Sequence, residues 1–216
     1  MYMPKHFEER DVGVLHELIR AHPFGTWVTL AGGELLVNHM PFLVDPSPGE
    51  FGMLVGHVAR PNPAWKAFSK EMASVVIFQG PQGYITPSWY PTKGATGKVV
   101  PTWNYAVVHA HGALRVIEDR AWLRDFVTAL TNRYEATRRD PWQVTDAPAD
   151  YIDKQLGAIV GLELSITRLV GKWKMSQNRP AQDRAGVVEG LGREGGEAGR
   201  VIADLVRGSG DPAGGA

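Results

Sequence analysis

The sequence predicts a mainly β protein with peripheral helices (α+β), built around a small antiparallel barrel. Three observations carry this. Short apolar runs recur between turn signals, such as Gly32-Gly33 and Pro46-Ser47-Pro48-Gly49. Helical spacing is confined to the start, middle and end of the chain. There is no internal repeat and no strand–helix alternation, which argues against a doubly wound parallel sheet.

In chain order, Asp11 is placed to cap a helix reaching about His22, because Val14, Leu15, Leu18 and Ile19 recur at helical spacing. Phe24 to Ala31 and Glu34 to Val44 read as strands joined by a tight hairpin at the glycine pair. Phe51 to Ala59 is a third strand, and Pro61-Asn62-Pro63 precedes a short helix carrying Trp65 and Phe68. Ser74 to Gln79 reads as a strand that Gly80-Pro81 interrupts before Tyr84 to Thr86. Strand pattern returns from Asn104 to Ile117. Asp119 or Glu118 then caps a helix to about Arg138, with Trp122, Phe126, Leu130 and Tyr134 on one stripe. A brief helix around Tyr151 to Leu156 leads into a strand from Val160 to Val170, with Leu162, Leu164 and Ile166 on one face and Glu163 on the other. The expected division is a barrel domain over 1–185, a helical extension over 186–207 and a disordered tail over 208–216.

Composition narrows the chemistry. Lys plus Arg and Asp plus Glu both total 23 in 216 residues, so no global charge draws the chain to nucleic acid or an anionic membrane. There are no cysteines, which removes disulfides, thiolate metal sites and thiol catalysis. With neither an apolar signal core nor a run long enough to span a bilayer, a soluble cytoplasmic protein is the expectation, with no membrane partner.

The segment Ile85 to Tyr105 carries the strongest local signal. Pro87-Ser88-Trp89-Tyr90 and Pro101-Thr102-Trp103-Asn104-Tyr105 bracket a Gly- and Lys-containing insert. Flat aromatic faces interleaved with hydroxyl and amide groups suit a planar, heteroatom-rich ligand. In His57 to Lys66, Arg60 offers a planar fork of donors and Lys66 a mobile charge, as a phosphate would need. A solvated turn bearing two ordinary cations is the plainer reading of the same residues. From Arg168 to Arg184 five cations (Arg168, Lys172, Lys174, Arg179, Arg184) meet a single acid, Asp183. Ser176, Gln177 and Asn178 in that stretch could anchor an anion, cap a helix or touch nucleic-acid phosphates.

Two other patterns carry less. Gly190-Leu191-Gly192-Arg193-Glu194-Gly195 has dinucleotide-fingerprint spacing but lacks the preceding strand, and it reads as a helix–helix linker. His109 and His111 share a strand face, yet a metal needs a third ligand that the sequence does not identify, so no metal is expected. With no protein-borne nucleophile in view, any catalysis would rest on a bound cofactor.

The segments Met1-Tyr2-Met3-Pro4, Gly56 to Pro63, Phe78 to Pro81, Tyr84 to Tyr90, Val100 to Tyr105 and Lys172 to Asn178 together resemble the PaiB family, the FMN-binding negative transcriptional regulators of bacteria. The resemblance implies an antiparallel split β-barrel of the FMN-binding type, a homodimer with FMN between protomers. It places the flavin phosphate near His57, Arg60, Asn62 and Lys66, and the ring near Ser88, Trp89, Tyr90, Thr102, Trp103 and Asn104. Lys174, Ser176, Gln177 and Asn178 complete the implied set. A flavin-binding regulator or an FMN-dependent oxidoreductase then leads. A haem-binding or haem-degrading split barrel, with His39, His57, His109 or His111 as axial ligand, and a DNA-binding repressor without redox activity are the alternatives.

Overall fold

The structure is a computed structural model and describes residues 1–209. Among them are eight strands: β1 (Glu8–Glu9), β2 (Phe24–Ala31), β3 (Glu34–Pro41), β4 (Leu43–Asp45), β5 (Met53–Ala59), β6 (Ser74–Ile85), β7 (Thr102–Ile117) and β8 (Ile159–Lys174). Seven α-helices accompany them: α1 (Val12–Ala21), α2 (Ala64–Ala67), α3 (Thr92–Thr96), α4 (Arg120–Glu135), α5 (Ala149–Gly157), α6 (Ala181–Glu194) and α7 (Gly196–Gly208). The strands form one sheet in the order β3-β2-β6-β7-β8-β5-β4, with β1 added on β8. Each strand pair of known register is antiparallel, and the path ends at β3 and β4 without closing. This is an antiparallel split barrel.

The chain divides into two compact units, and the long strands β6, β7 and β8 contribute to both. The first comprises Met1–Leu18, Gln79–Val108 and Val170–Ala216; the second comprises Ile19–Phe78 and His109–Leu169.

In the second unit, Gly32 and Gly33 have φ of 59° and 89°, the left-handed pair that a two-residue hairpin demands. The turn sets β2 against β3 in the register Val28↔Val37. Trp27, Leu54, Val76, Phe78, Leu162 and Leu164 are fully buried, as period-two alternation requires of inward positions. The returning strand stops at Pro41, short of the expected Val44. The Phe42 amide donates to the Pro23 carbonyl at 2.9 Å and its buried ring meets Phe78 edge-on, so the chain leaves the ladder to place that ring.

Asp119 caps α4 through the Trp122 amide at 2.8 Å. The buried side of α4 runs through Leu123 and Phe126, whereas Tyr134 at the end of the expected stripe is exposed. Trp122 lies across Gly161, where a Cβ would stand 2.3 Å from its ring. That indole also donates to Glu163 at 2.9 Å, and Arg115 donates to the same carboxylate, so the residue on the face opposite Leu162 and Leu164 is buried and paired. Leu123, Val144, Ile152 and Leu156 form a small core under α4 and α5.

In the first unit, β1 pairs with the end of β8 in the register Glu8↔Lys172. The expected break at Gly80-Pro81 is absent, since β6 runs unbroken to Ile85. Its pairing with β2 ends at Ile77, so Pro81 costs no bond in that ladder. Gly190 to Glu194, expected as a linker, belong to α6 instead. Gly195 follows as the cap, and α6 turns into α7 where Gly195 and Gly199 approach too closely for a Cβ. Helix α6 starts at Ala181, so the boundary expected at 185/186 falls inside it, and Gly208 is the last residue of α7. The remainder of the expected tail, residues 210–216, lies outside the described residues. No described helix is long and apolar enough to cross a membrane.

Candidate functional site

The first unit gathers one group of candidate residues where β7 begins and β8 ends. Two buried polar side chains hold its base. Asn104 Nδ2 donates to Ser176 Oγ at 3.0 Å, and both residues are excluded from solvent. Ser176 has φ of 64°, a left-handed conformation that a non-glycine residue keeps only where its surroundings impose it. Gln177 imposes it from both sides of its amide. Its Oε1 accepts from the Met175 amide and its Nε2 donates to the Trp173 carbonyl, each at 2.7 Å. Gln177 is therefore spent on the turn. Asn178, next to it, is exposed.

Around this turn stand three cations. Lys174 Nζ donates to Thr102 Oγ1 and, at 2.7 Å, to the Trp103 carbonyl. Lys172 is buried, donates to the Tyr2 carbonyl at 3.0 Å and lies over the Tyr105 ring at 5.4 Å. The Arg179 guanidinium sits 4.8 Å from the centre of the Tyr90 ring. The acid of this stretch, Asp183, is engaged by the amide and hydroxyl of Thr92 at 3.1 and 2.7 Å. Burial holds the Lys174 ammonium below the ordinary lysine range, and the charges of Lys172 and Arg179 push it the same way. Positive charge is concentrated here, with the buried Asp183 carboxylate near Tyr90 and held by Thr92.

Aromatic area lies beside the charge. Trp103 is 48% exposed and Tyr84 51%, their rings meeting edge-on at 6.2 Å. Tyr90 is buried, its hydroxyl has no hydrogen-bond partner, and burial pushes its phenol pKa up. Trp89, expected as an open platform, is packed by its own chain, with its ring on Gly190 and its carbonyl on Gly186 of α6. Ser88 is exposed and accepts weakly from Lys93 Nζ at 3.4 Å.

His57, Arg60, Asn62 and Lys66 belong to the second unit and have different duties. Each Arg60 nitrogen already donates: Nε to the Gly157 carbonyl at 2.8 Å, Nη1 to Glu118 at 2.5 Å and Nη2 to the Ile159 carbonyl at 3.1 Å. Its fork ties the α5–β8 connection rather than standing open for a phosphate. Asn62 accepts from the Ala64 amide at 2.9 Å and donates to Asn38 at 2.8 Å. Lys66 Nζ lies 4.6 Å from the centre of the Trp65 ring with an exposed side chain. His57 faces Phe126 edge-on at 5.6 Å.

Sequence reasoning left Lys172, Arg179, Tyr84 and Tyr105 out of the candidate set. The charge excess over 168–184 was the signal for the first two, and the aromatic cluster of Pro101 to Tyr105 was the signal for Tyr105. His109 and His111 lie with ring centres 6.2 Å apart. Among the described residues no three His, Asp or Glu side chains are grouped to hold a metal.

Comparison with known proteins gives this geometry a context. Residues 1–168 match the family described as "Putative FMN-binding domain". The chain is 30% identical to the protease synthase and sporulation protein PAI 2 of Bacillus subtilis, covering 95% of this chain and 96% of that one. It is 36% identical to an uncharacterized protein of Emericella nidulans, covering 98% of both. Among solved structures it is similar to the flavocytochrome Anf3 from Azotobacter vinelandii (TM-score 0.59, 14% identity, 85% of this chain and 78% of that one). It is also similar to the FAD and heme binding protein from Mycobacterium smegmatis (TM-score 0.57, 17% identity, 77% and 73%). At such identities the two structures speak for the fold alone.

Proposed function

This chain belongs to the PaiB-type family of FMN-binding-domain proteins, and from that premise we propose that it binds FMN and acts as a flavin-dependent redox protein or flavin-binding regulator. The observation that carries the reading is the cation cluster of Lys172, Lys174 and Arg179 beside the exposed rings of Trp103 and Tyr84.

The donor set fits the cofactor. A phosphate needs charge-assisted donors, and Lys174 and Arg179 are groups of that kind. A flat tricyclic ring needs exposed aromatic area, which Trp103 and Tyr84 supply. FMN, when bound, supplies reversible electron transfer at its ring system; the chain's own residues bind and orient it. The Asn104–Ser176 pair and Gln177 hold the turn from which Lys174 and Arg179 project.

The proposal includes a homodimer. Trp103, Tyr84 and Val100 leave apolar area exposed at the site, and a second copy bound with the flavin would cover it. DNA binding is supported less well, because Lys172, in the one basic stretch, is buried and the net charge is zero.

The test is a titration of apoprotein with FMN and with riboflavin, followed by flavin fluorescence. Saturable FMN binding about ten- to a hundredfold tighter than riboflavin is expected from one charge-assisted phosphate contact. Absence of a saturable change at micromolar protein sinks the flavin reading. Sedimentation with and without FMN tests the dimer, which FMN should favour by linkage.

A further inference from the structure

In the second unit, the sheet is apolar on the side that faces water as well as on the side that faces the core. Inward and outward positions alternate along β2, and the register sets Thr26 opposite His39 and Ile77, and Val28 opposite Val37 and Val75. Phe24 and Leu35 extend the same face along β2 and β3 by period two. Phe24, Leu35 and Val37 are 66%, 69% and 53% exposed. On the other side of these strands Trp27 and Val76 are fully buried. An antiparallel strand with one wet side reads apolar inward and polar outward, yet β2 and β6 are apolar on both. No outward position of β2 from Phe24 to Leu30, of β3 from Leu35 to His39, or of the paired part of β6 carries a charge.

The polar side chains of this face are engaged within it. Thr26 Oγ1 and His39 Nδ1 are hydrogen-bonded at 3.1 Å, and the His39 ring stacks on Phe24 with 6.3 Å between centres. That pairing lowers the cost of taking the face out of water. At about 3.3 Å per residue and about 4.8 Å between strands, the three strands present a face of about 23 Å by 14 Å. On the order of 300 Å² of contiguous apolar surface is the size that marks an interaction site, and it suits the core of a standard interface of about 800 Å² a side.

We propose that this face is the surface through which two copies of the chain associate, β2 and β3 of one protomer packing on β2 and β3 of its partner about a two-fold axis. A second copy is the occupant that the face itself describes. Pleated sheets pack face to face with interdigitated side chains, and a two-fold axis brings the same uncharged surface to itself, so no like charges meet and none is buried unpaired. A nucleic acid or an anionic membrane would be met by cations, which the face lacks. The proposal deepens the homodimer reading and rests on it, but it does not rest on the flavin, because the face shares no residue with the site of Lys174 and Trp103.

Sedimentation of the full chain, with and without FMN, reads the association. Interfaces of standard size bind from the micromolar range downward, so a dimer is expected at about 10 µM protein and above in both conditions. Val37→Lys carries two uncompensated charges into each dimer and should weaken association at least about a hundredfold. Its unfolding midpoint should stay close to wild type, because residue 37 is exposed. Should Val37→Lys lose the fold, Leu35→Lys, at the more exposed position, takes its place. Val201→Lys adds the same charge at an exposed position of α7 and should leave the dimer intact. A wild-type monomer in both conditions sinks the homodimer reading and this proposal together. A dimer that survives the β3 substitution, or one that Val201→Lys dissociates equally, leaves the homodimer reading standing and overturns this face as its interface. Partition of the wild type onto neutral phosphatidylcholine vesicles, abolished by Val37→Lys, would give the face to a membrane and overturn the proposal as well.

Discussion

Gly190 lies so close to Trp89 that a Cβ on residue 190 would stand 2.3 Å from the indole Cδ2. One turn earlier, a Cβ on Gly186 would meet the Trp89 carbonyl oxygen at 2.0 Å. These two positions, four apart on one helical face, form the seat on which the segment Pro87–Trp89 rests. Gly192, on the same helix, has open space around it. Gly190→Ala should therefore destabilise by about 1–3 kcal/mol through overpacking, although alanine is the better helix former. Gly192→Ala should stabilise by up to about 1 kcal/mol. Urea unfolding of both variants checks the contrast in sign.

Arg60→Ala should act on stability rather than on cofactor choice. It removes two bonds to main-chain carbonyls that fasten the α5–β8 connection, and one to Glu118. A loss of roughly 1–3 kcal/mol follows from the two carbonyl bonds, with little from the ion pair, whose partners are 37% and 55% exposed. The ratio of FMN to riboflavin affinity should stay as in wild type. A selective loss of FMN affinity would restore Arg60 as a phosphate ligand.

The difference between Arg60 and Lys174 shows what the sequence could reveal. Local signals were legible: the Gly32-Gly33 hairpin, the Asp119 cap and the charge excess ending at Arg184 are written within a few residues of where they act. Partners far along the chain were not. Arg60 meets Gly157 and Ile159, and Glu163 meets Trp122, only because strand pairing and helix docking bring them together. Gly190 failed as a linker for the same reason. Its missing side chain looks like a helix breaker until Trp89 is seated against it. Pro81 misled because it lies beyond the part of β6 that pairs with β2, so its missing donor takes nothing from that ladder. Trp89 and Trp103 stand alike in sequence, each after a proline and a hydroxyl residue, yet one is packed and the other exposed.

His111 makes stability depend on pH. Burial, with Arg168 nearby, holds its imidazole pKa down at about 4, against 6.5 for the free side chain. Between those values the unfolded chain binds a proton that the folded chain refuses, so stability falls as pH drops from 6.5 toward 4. Above 6.5 the group contributes no slope. The ring retains solvent contact, so the effect is screened below what the shift alone would give. His111→Asn should flatten the acid side of the stability profile, as measured by unfolding at a series of pH values. NMR titration of the ring gives the folded pKa independently.

Lys174 gives the cofactor reading a pH signature. Its ammonium is held below the ordinary lysine range by burial first, then by Lys172 and Arg179. In the apoprotein, between its folded and unfolded pKa, the unfolded chain carries the extra proton. Stability therefore rises as pH climbs through that window. A bound phosphate reverses the local balance, because the dianion favours the protonated amine. FMN affinity should then fall as pH rises through the depressed Lys174 pKa, earlier than an unperturbed lysine would allow. Riboflavin affinity should not follow. Lys174→Met removes the charge while keeping most of the stem. It should weaken FMN by about ten- to a hundredfold and abolish that limb of the pH profile, leaving riboflavin within a few-fold of wild type. An FMN affinity that is unchanged in Lys174→Met would move the phosphate away from this turn, even if the protein still binds flavin.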